Sequence, residues 1–417
     1  KWWNALPESS RSSVTDRWGL PELAVDCESR GYPIHGVIYG NISLLIQPSR
    51  AYDPSNINDL HSPSLPPPHR YLAQYLWIKE VQMAHAVVNV GKHGSLEWLP
   101  GKAIGLSKDC FPQVAIEELP NIYPFIVNDP GEGSQAKRRS QAVIIDHLTP
   151  PLGIAGLHGD LHSLEMLLDE YYESKSLCDK RTNILEKKII TILERNDWLN
   201  YKRDNIETDK KDNQELFIHA DSYLCELKES QIRTGLHVFG KSPSREDLMN
   251  LCLLIIKAPN KQRLGITQMI ANELQLDLNP WADDESLFVT NKDRSIVSIY
   301  TGKNLTRNSD INQWLDSQAL FIIEYLISSK DEGNNLQAIY NQISEPIRNL
   351  INLSNSPLSD QIITLWRILN DCSKTEKTSF IKSICGRRVI SGPSGAPTRG
   401  RPEVLPTGKN FYSVDLR

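Results

Sequence analysis

No stretch of this 417-residue chain comes near the roughly 20 consecutive apolar residues that a bilayer-crossing helix needs, so no membrane partner is expected. Strong charge of one sign is missing as well. Charged residues make up 23% with both signs interspersed and a formal net charge of -5, too weak a field to draw nucleic acid or an anionic surface. Cys27, Cys110, Cys178, Cys225, Cys252, Cys372 and Cys385 stand singly with no C-x-x-C, which supports neither a zinc ribbon nor a secreted disulfide framework. A reducing, cytoplasmic location is the expectation. The start, Lys1-Trp2-Trp3-Asn4, has neither Met nor a signal-like apolar core, so the chain reads as a piece of a longer protein. Neither a fixed-period repeat nor a Gly-x-Ser-x-Gly elbow is found.

What is present is enough chain for two or three domains of roughly 100–200 residues each. The expected class is α/β: a βαβ-type sheet region over 1–155, a mainly helical domain over 156–380, and a Pro/Gly-rich segment over 381–417 leading into a further C-terminal domain. Residues 36–47 read as one or two strands, and the polar, proline-rich piece 48–68 as a surface loop. A helix over about 70–83, with Leu72, Leu76, Ile78 and Val81 on its apolar face, leads into a buried strand over 84–90. Strand, helix and strand in that order predict a βαβ unit.

A strand over 122–127 ends in the turn-rich Asn128-Asp129-Pro130-Gly131-Glu132-Gly133. From there a helix is expected to run past Lys137, Arg138 and Arg139 to about His147, stopped by Thr149-Pro150-Pro151. Further helices are expected over 161–173, 182–199, 214–233 and 244–257, the last opened by Ser244 and Asp247 as a capping box. The polar pieces at 203–215, 302–312 and 352–359 read as exposed loops.

The segment richest in chemistry is His93-Gly94-Ser95-Leu96-Glu97-Trp98-Leu99-Pro100-Gly101-Lys102, directly after the expected strand, where open α/β sheets bind ligands. His93 and Glu97 stand four apart. Imidazole suits Co²⁺, Ni²⁺, Zn²⁺ or Fe²⁺, and a neighbouring carboxylate can complete a site or take a proton; equally, the histidine can merely satisfy loop carbonyls. Gly131-x-Gly133-x-x-Ala136 matches a dinucleotide fingerprint in form, but Pro130 and the expected placement of Asp146 inside a helix argue against one, and Gly131 to Lys137 is no Walker loop. A glycine-rich helix start that favours an anion beside Lys137, Arg138 and Arg139 survives, against a merely solvated basic face. His158 and His162 also stand four apart, yet a helix start with Asp160 in its first turn explains them. His147 reads as a helix-end residue.

Several longer blocks resemble a known family. These are Val90 to Lys102, Leu119 to Gly133, Ala136-Lys137-Arg138-Arg139, His147 to Pro151, Tyr223 to Lys228, Gly235 to Gly240, and Gly392 to Pro402 with Leu405 to Tyr412. Together they resemble the large subunit of aerobic cobaltochelatase, the CobN type, over about residues 16–417. The sister group, the large subunit of magnesium chelatase, favours threonine at the place of Lys92, Phe-Met at Trp98-Leu99, and an Asn-Pro-Ser-Glu-Ala type sequence at 129–133. At those positions this chain sides with cobalt.

The resemblance implies a subunit that binds a tetrapyrrole and inserts Co²⁺ into hydrogenobyrinic acid a,c-diamide during cobalamin biosynthesis. Separate AAA+ ATPase partners would hydrolyse ATP, a division that accords with reading no P-loop in this chain. On that reading His93 and Glu97 are the catalytic and metal-holding pair. Lys92, Trp98, Lys102, Glu132, Lys137, Arg138 and Arg399 are then the substrate-binding set, with the cations on peripheral carboxylates and Trp98 against the ring. The rival readings are a magnesium chelatase subunit acting on protoporphyrin, a non-catalytic tetrapyrrole scaffold, and a dinucleotide enzyme. The piece alone is expected to be inactive.

Overall fold

Apolar, β-branched runs and glycine-bounded turns set the strands of this protein, and a computed structural model shows how they pair. It describes residues 2–24, 27–29, 31–50, 62, 64–91, 94–151, 160–174, 179–195, 216–217, 220, 224, 236–260, 263–282, 287–303, 305–330, 336–352 and 357–411. Two compact units emerge: Lys1–Leu148 with Ser373–Gly395 and Thr407–Arg417, and Thr149–Cys372 with Ala396–Pro406.

In the first unit, α1 (Trp2–Ala5) and α2 (Glu8–Trp18) precede an antiparallel hairpin of β1 (Gly36–Tyr39) and β2 (Ile42–Leu45). Then come α3 (His69–Glu80), β3 (Val87–Val88), α4 (Phe111–Ile116), β4 (Asn121–Ile126), α5 (Pro130–Ser140) and β5 (Val143–His147). Strands β3, β4 and β5 form one parallel sheet in that order, with Val88 opposite Ile122 and Ile122 opposite Val143. The βαβ units are therefore β3–α4–β4 and β4–α5–β5. The expected pairing of the 36–47 strands with the 84–90 strand does not occur, because the Gly40-Asn41 turn lets that segment satisfy its backbone within its own hairpin. β3 is also shorter than expected, since only two residues lie against β4 at this edge of the sheet.

The helix after Pro130 stops at Ser140, not near His147. Gln141 takes the left-handed conformation and its N–H bonds the Ala136 carbonyl, which ends the helix and frees 143–147 to become an apolar strand beside β4. His147 is thus at a strand end, and its Nδ1 lies 2.9 Å from the Leu148 carbonyl. The C-terminal segment returns to this unit: β6 (Ser391–Gly392) pairs in parallel with β7 (Asn410–Phe411), and Asp146 exchanges backbone bonds with Gly408 and Lys409 beside β5. One core gathers Val14, Tyr71, Leu72, Tyr75, Leu96, Leu99 and Phe111, and a second gathers Tyr123, Phe125, Ala136, Ile144 and Phe411.

Among its described residues the second unit is helical: α6 (Asp160–Ser174), α7 (Asp179–Arg195), α8 (Arg245–Lys257), α9 (Ile266–Glu273), α10 (Asn291–Thr301), α11 (Asn308–Lys330), α12 (Leu336–Gln342), α13 (Asn349–Asn352) and the first part of α14 (Pro357–Ile384). The Ser244 hydroxyl accepts the Asp247 N–H at 3.1 Å, the expected cap of α8. Two expected loops are partly helix. Asp310 takes the N–H groups of Thr306 and Arg307 and so starts α11 inside 302–312, and Pro357 starts α14 inside 352–359. Most of the expected 214–233 helix and the whole 203–215 piece lie outside the described residues. No described helix is long and apolar enough to cross a membrane.

Candidate functional site

Parallel pairing puts the carboxyl ends of β3 and β4 at one edge of the sheet, and each strand runs on into one of the two glycine-containing blocks. After β3 the chain makes a single 3₁₀ turn, Leu96–Trp98, that carries Glu97. Its side chain is 3% exposed, with Leu96 and Leu99 buried on either side. The carboxylate accepts two neutral donors at the same oxygen, Oε1: the Gly94 N–H at 3.0 Å and the Tyr123 hydroxyl at 3.4 Å. Among the described residues it forms no ion pair, and no group of three His, Cys, Asp or Glu side chains gathers as a metal cage. Lys92, His93 and His158 lie outside the described residues, as does the His162 side chain.

Three tyrosines surround this carboxylate. The Tyr71 hydroxyl lies 3.1 Å from Ser95 Oγ, and the Tyr75 hydroxyl donates to Gln47 at 3.3 Å. Burial, with neighbouring negative charge, raises all three phenols: Tyr75 is pushed up to about 12, Tyr71 stands well above its ordinary value, and Tyr123 is raised by burial and then by Glu97 and Glu132. All three therefore remain proton donors at neutral pH. Composition gave no reason to separate them from core aromatics; the only available signal was that Tyr71 and Tyr75 lie one helical turn apart, facing Ser95 and Glu97 in the next block.

The loop itself is held from α5. Arg139, 6% exposed, donates from Nε to the Glu97 carbonyl at 2.8 Å, from one terminal nitrogen to Gly101 and Lys102 at 2.9 and 2.5 Å, and from the other to Leu99. The alternative of a solvated basic face fails for this residue, whereas Arg138 is exposed. Nor is the start of α5 an open anion site. Asp129 caps it, with its own carboxylate accepting the Glu132 N–H at 3.4 Å. Gly133 is needed for packing, since a Cβ there would lie 2.1 Å from the Phe411 ring. The strand-borne Asp146 removes one argument against the dinucleotide fingerprint, but this glycine faces a phenylalanine and not a phosphate.

Of the remaining expected substrate-binding residues, Trp98 is half-buried in the 3₁₀ turn and Lys102 is exposed. Glu132 lies near enough to Tyr123 to raise it, and Lys137 is half-buried with its ammonium on the Asn410 side chain. The Gly395 N–H reaches the Val127 carbonyl at 3.1 Å, so parts of all three blocks, 94–102, 128–139 and 392–411, meet in the first unit. Arg399 does not belong to it; its 3₁₀ turn, Pro397–Arg399, packs on α8 in the second unit.

One pattern escaped the sequence reading. Gly235-x-x-x-x-Gly240-Lys241-Ser242 has Walker spacing, so a P-loop pattern is present in the sequence after all. The geometry does not make it a phosphate cradle. Lys241 and Ser242 stand ahead of the Ser244 cap and outside α8, whereas a P-loop lysine and serine open the helix themselves.

The whole chain, residues 1–417, matches the family model described as CobN/magnesium chelatase. It is 40% identical over 424 residues to the aerobic cobaltochelatase subunit CobN of Pseudomonas aeruginosa, covering 99% of this chain and 32% of that protein. It is 28% identical over 429 residues to the chloroplastic magnesium-chelatase subunit ChlH of Oryza sativa subsp. indica, covering 98% of this chain and 30% of that protein. Among solved structures, the catalytic subunit of cobaltochelatase from Mycobacterium tuberculosis is similar with a TM-score of 0.60 and 31% identity, over 99% of this chain and 33% of that one. The chain thus spans about a third of the length of these relatives. On the full-length family match and these identities, it belongs to the CobN/magnesium chelatase family.

Proposed function

We propose that this chain is the part of a cobaltochelatase large subunit in which ring protons leave the tetrapyrrole and Co²⁺ enters it. Metal insertion requires a group that accepts protons from ring nitrogens and a ligand that takes the ion from water. The observation that carries the reading is the buried Glu97 carboxylate, held at the ligand-binding edge of a parallel sheet by two neutral donors, so that its charge is spent on no cation among the described residues. In this reading Glu97 accepts a ring proton or shares the cobalt, and His93 holds or delivers the ion. Lys92, Trp98, Lys102, Glu132, Lys137 and Arg138 bind the macrocycle and its peripheral carboxylates. ATP is hydrolysed by AAA+ partner subunits. Free thiols at Cys27, Cys110, Cys252, Cys372 and Cys385 suit a reducing cytoplasm.

Cobalt is favoured over magnesium by the higher identity to the cobaltochelatase subunit, 40% against 28%. The test uses the full-length subunit with its ATPase partners. Glu97→Gln and His93→Ala should bind the corrinoid normally and lose cobalt insertion by about a hundredfold or more, the scale of a missing acid–base group. Unchanged turnover in both variants, with binding intact, would leave a non-catalytic scaffold as the better reading. Tighter binding of protoporphyrin than of the corrinoid would favour magnesium.

A further inference from the structure

We infer that Tyr123 is a positioning residue for this reaction, its hydroxyl fixing the Glu97 carboxylate so that one oxygen is turned toward the substrate. The inference rests on the reading of Glu97 as proton acceptor or cobalt ligand. A glutamate on a three-residue turn has freely rotating side-chain torsions, and nothing in that turn's own backbone orients the carboxylate. Two groups outside the turn do so. The Gly94 N–H and the Tyr123 hydroxyl both land on Oε1. Oε2 accepts no hydrogen bond among the described residues, so it is the oxygen left to the reacting group.

Gly94 is what lets the three meet. A Cβ at that position would lie 3.1 Å from the Tyr123 hydroxyl oxygen, so the phenol would have to shift from its place on Glu97, while 3.5 Å from Glu97 Oε2 is ordinary contact. The other end of Glu97 is fixed independently, because Arg139 holds its carbonyl. The carboxylate is therefore anchored from β4 and its backbone from α5. Both donors to Oε1 are neutral, so they orient the carboxylate without placing a positive charge beside it.

The experiment measures cobalt insertion by the full-length subunit with its ATPase partners, at varied corrinoid concentration. Tyr123→Phe keeps the ring and removes only the hydroxyl. It should lower kcat about tenfold, the effect of one hydrogen bond to a charged group, and leave KM for the corrinoid unchanged. In a Glu97→Asp background the shortened side chain already falls away from the phenol, so adding Tyr123→Phe should cost nothing further. Gly94→Ala should reproduce the kcat loss with KM intact, and it decides the matter if Tyr123→Phe fails to fold by melting temperature. Wild-type kcat in Tyr123→Phe, a loss confined to KM, or the same tenfold loss repeated in the Glu97→Asp background overturns the positioning role while leaving Glu97 in place. Normal turnover in Glu97→Gln overturns the underlying reading instead.

Discussion

Two arginines, one in each unit, bind backbone carbonyls and do opposite things with them. Arg263 donates from its terminal nitrogens to Ile255 and Ile256, at 3.2 and 2.7 Å, at the C-terminal end of α8, and to its neighbour Leu264 at 3.2 Å. The last carbonyls of any helix lack intrahelical partners, so Arg263 finishes an element that the sequence already specifies by periodicity. Arg139 instead binds the carbonyls of Glu97, Leu99, Gly101 and Lys102, which belong to no repeating element beyond a single 3₁₀ turn. There the side chain takes the place of secondary structure. A loop carrying a buried carboxylate cannot hold its shape by its own ladder of bonds, and the burden moves to a residue some 40 positions away in the chain.

The contrast makes predictions of decreasing size. Arg139→Ala leaves four carbonyls without their donor, so it should destabilise the first unit by about 3 kcal/mol and abolish cobalt insertion by the full-length complex. A variant that melts like the parent and still inserts cobalt would erase the distinction between the two arginines. Unfolding followed by melting temperature and insertion assayed in parallel decide this.

Asp146 sharpens the contrast within the first unit. Its Oδ1 accepts the Lys409 N–H at 2.6 Å, its Oδ2 has no partner among the described residues, and burial raises it from 3.8 to about 7. Because the folded-state value is the higher one, the neutral acid stabilises the fold. That contribution is full below about pH 4 and fades as pH rises toward 7. Asp146→Asn keeps the acceptor and drops the charge, so it should raise stability by about 2 kcal/mol at pH 8 and change little at pH 4. Melting curves at the two pH values check it; equal shifts at both would refute the assignment. Smallest of the three is Arg263→Ala, expected to cost about 1 kcal/mol with cobalt insertion unchanged, since water can reach part of that helix end.

How much of this was legible beforehand can be judged residue by residue. Glu97 was, because a carboxylate between glycines after an apolar strand is unusual chemistry in a place where α/β sheets bind ligands. The Ser244 cap was legible too, since capping depends on neighbours three residues away. Arg139 was not: in sequence it closes a run of three cations, and a basic run on a helix is ordinarily solvent-facing. The helix expected to reach His147 failed for a related reason. Ala142 to Ile145 suits either a buried strand or a helix by composition, and the choice was made by the open position beside β4. Tyr71, Tyr75 and Tyr123 carried no signal of their own, because a buried phenol and a buried ring look alike until the partner of the hydroxyl is known.

Local pattern by itself determined the strand-turn-helix grammar around 121–140, the helices α6, α7 and α8 of the second unit, and the carboxylate at the heart of the motif, because those depend on periodicity, caps and turns within a few residues. Only the tertiary structure decided that Arg139 and Tyr123 hold that motif, that the 392–395 and 407–411 pieces pack beside β4, α5 and β5, and that Arg399 belongs to the other unit. Those contacts bring together groups far apart in the chain. Hydrogen bonds and excluded volume at such separations leave no mark in the spacing of residues.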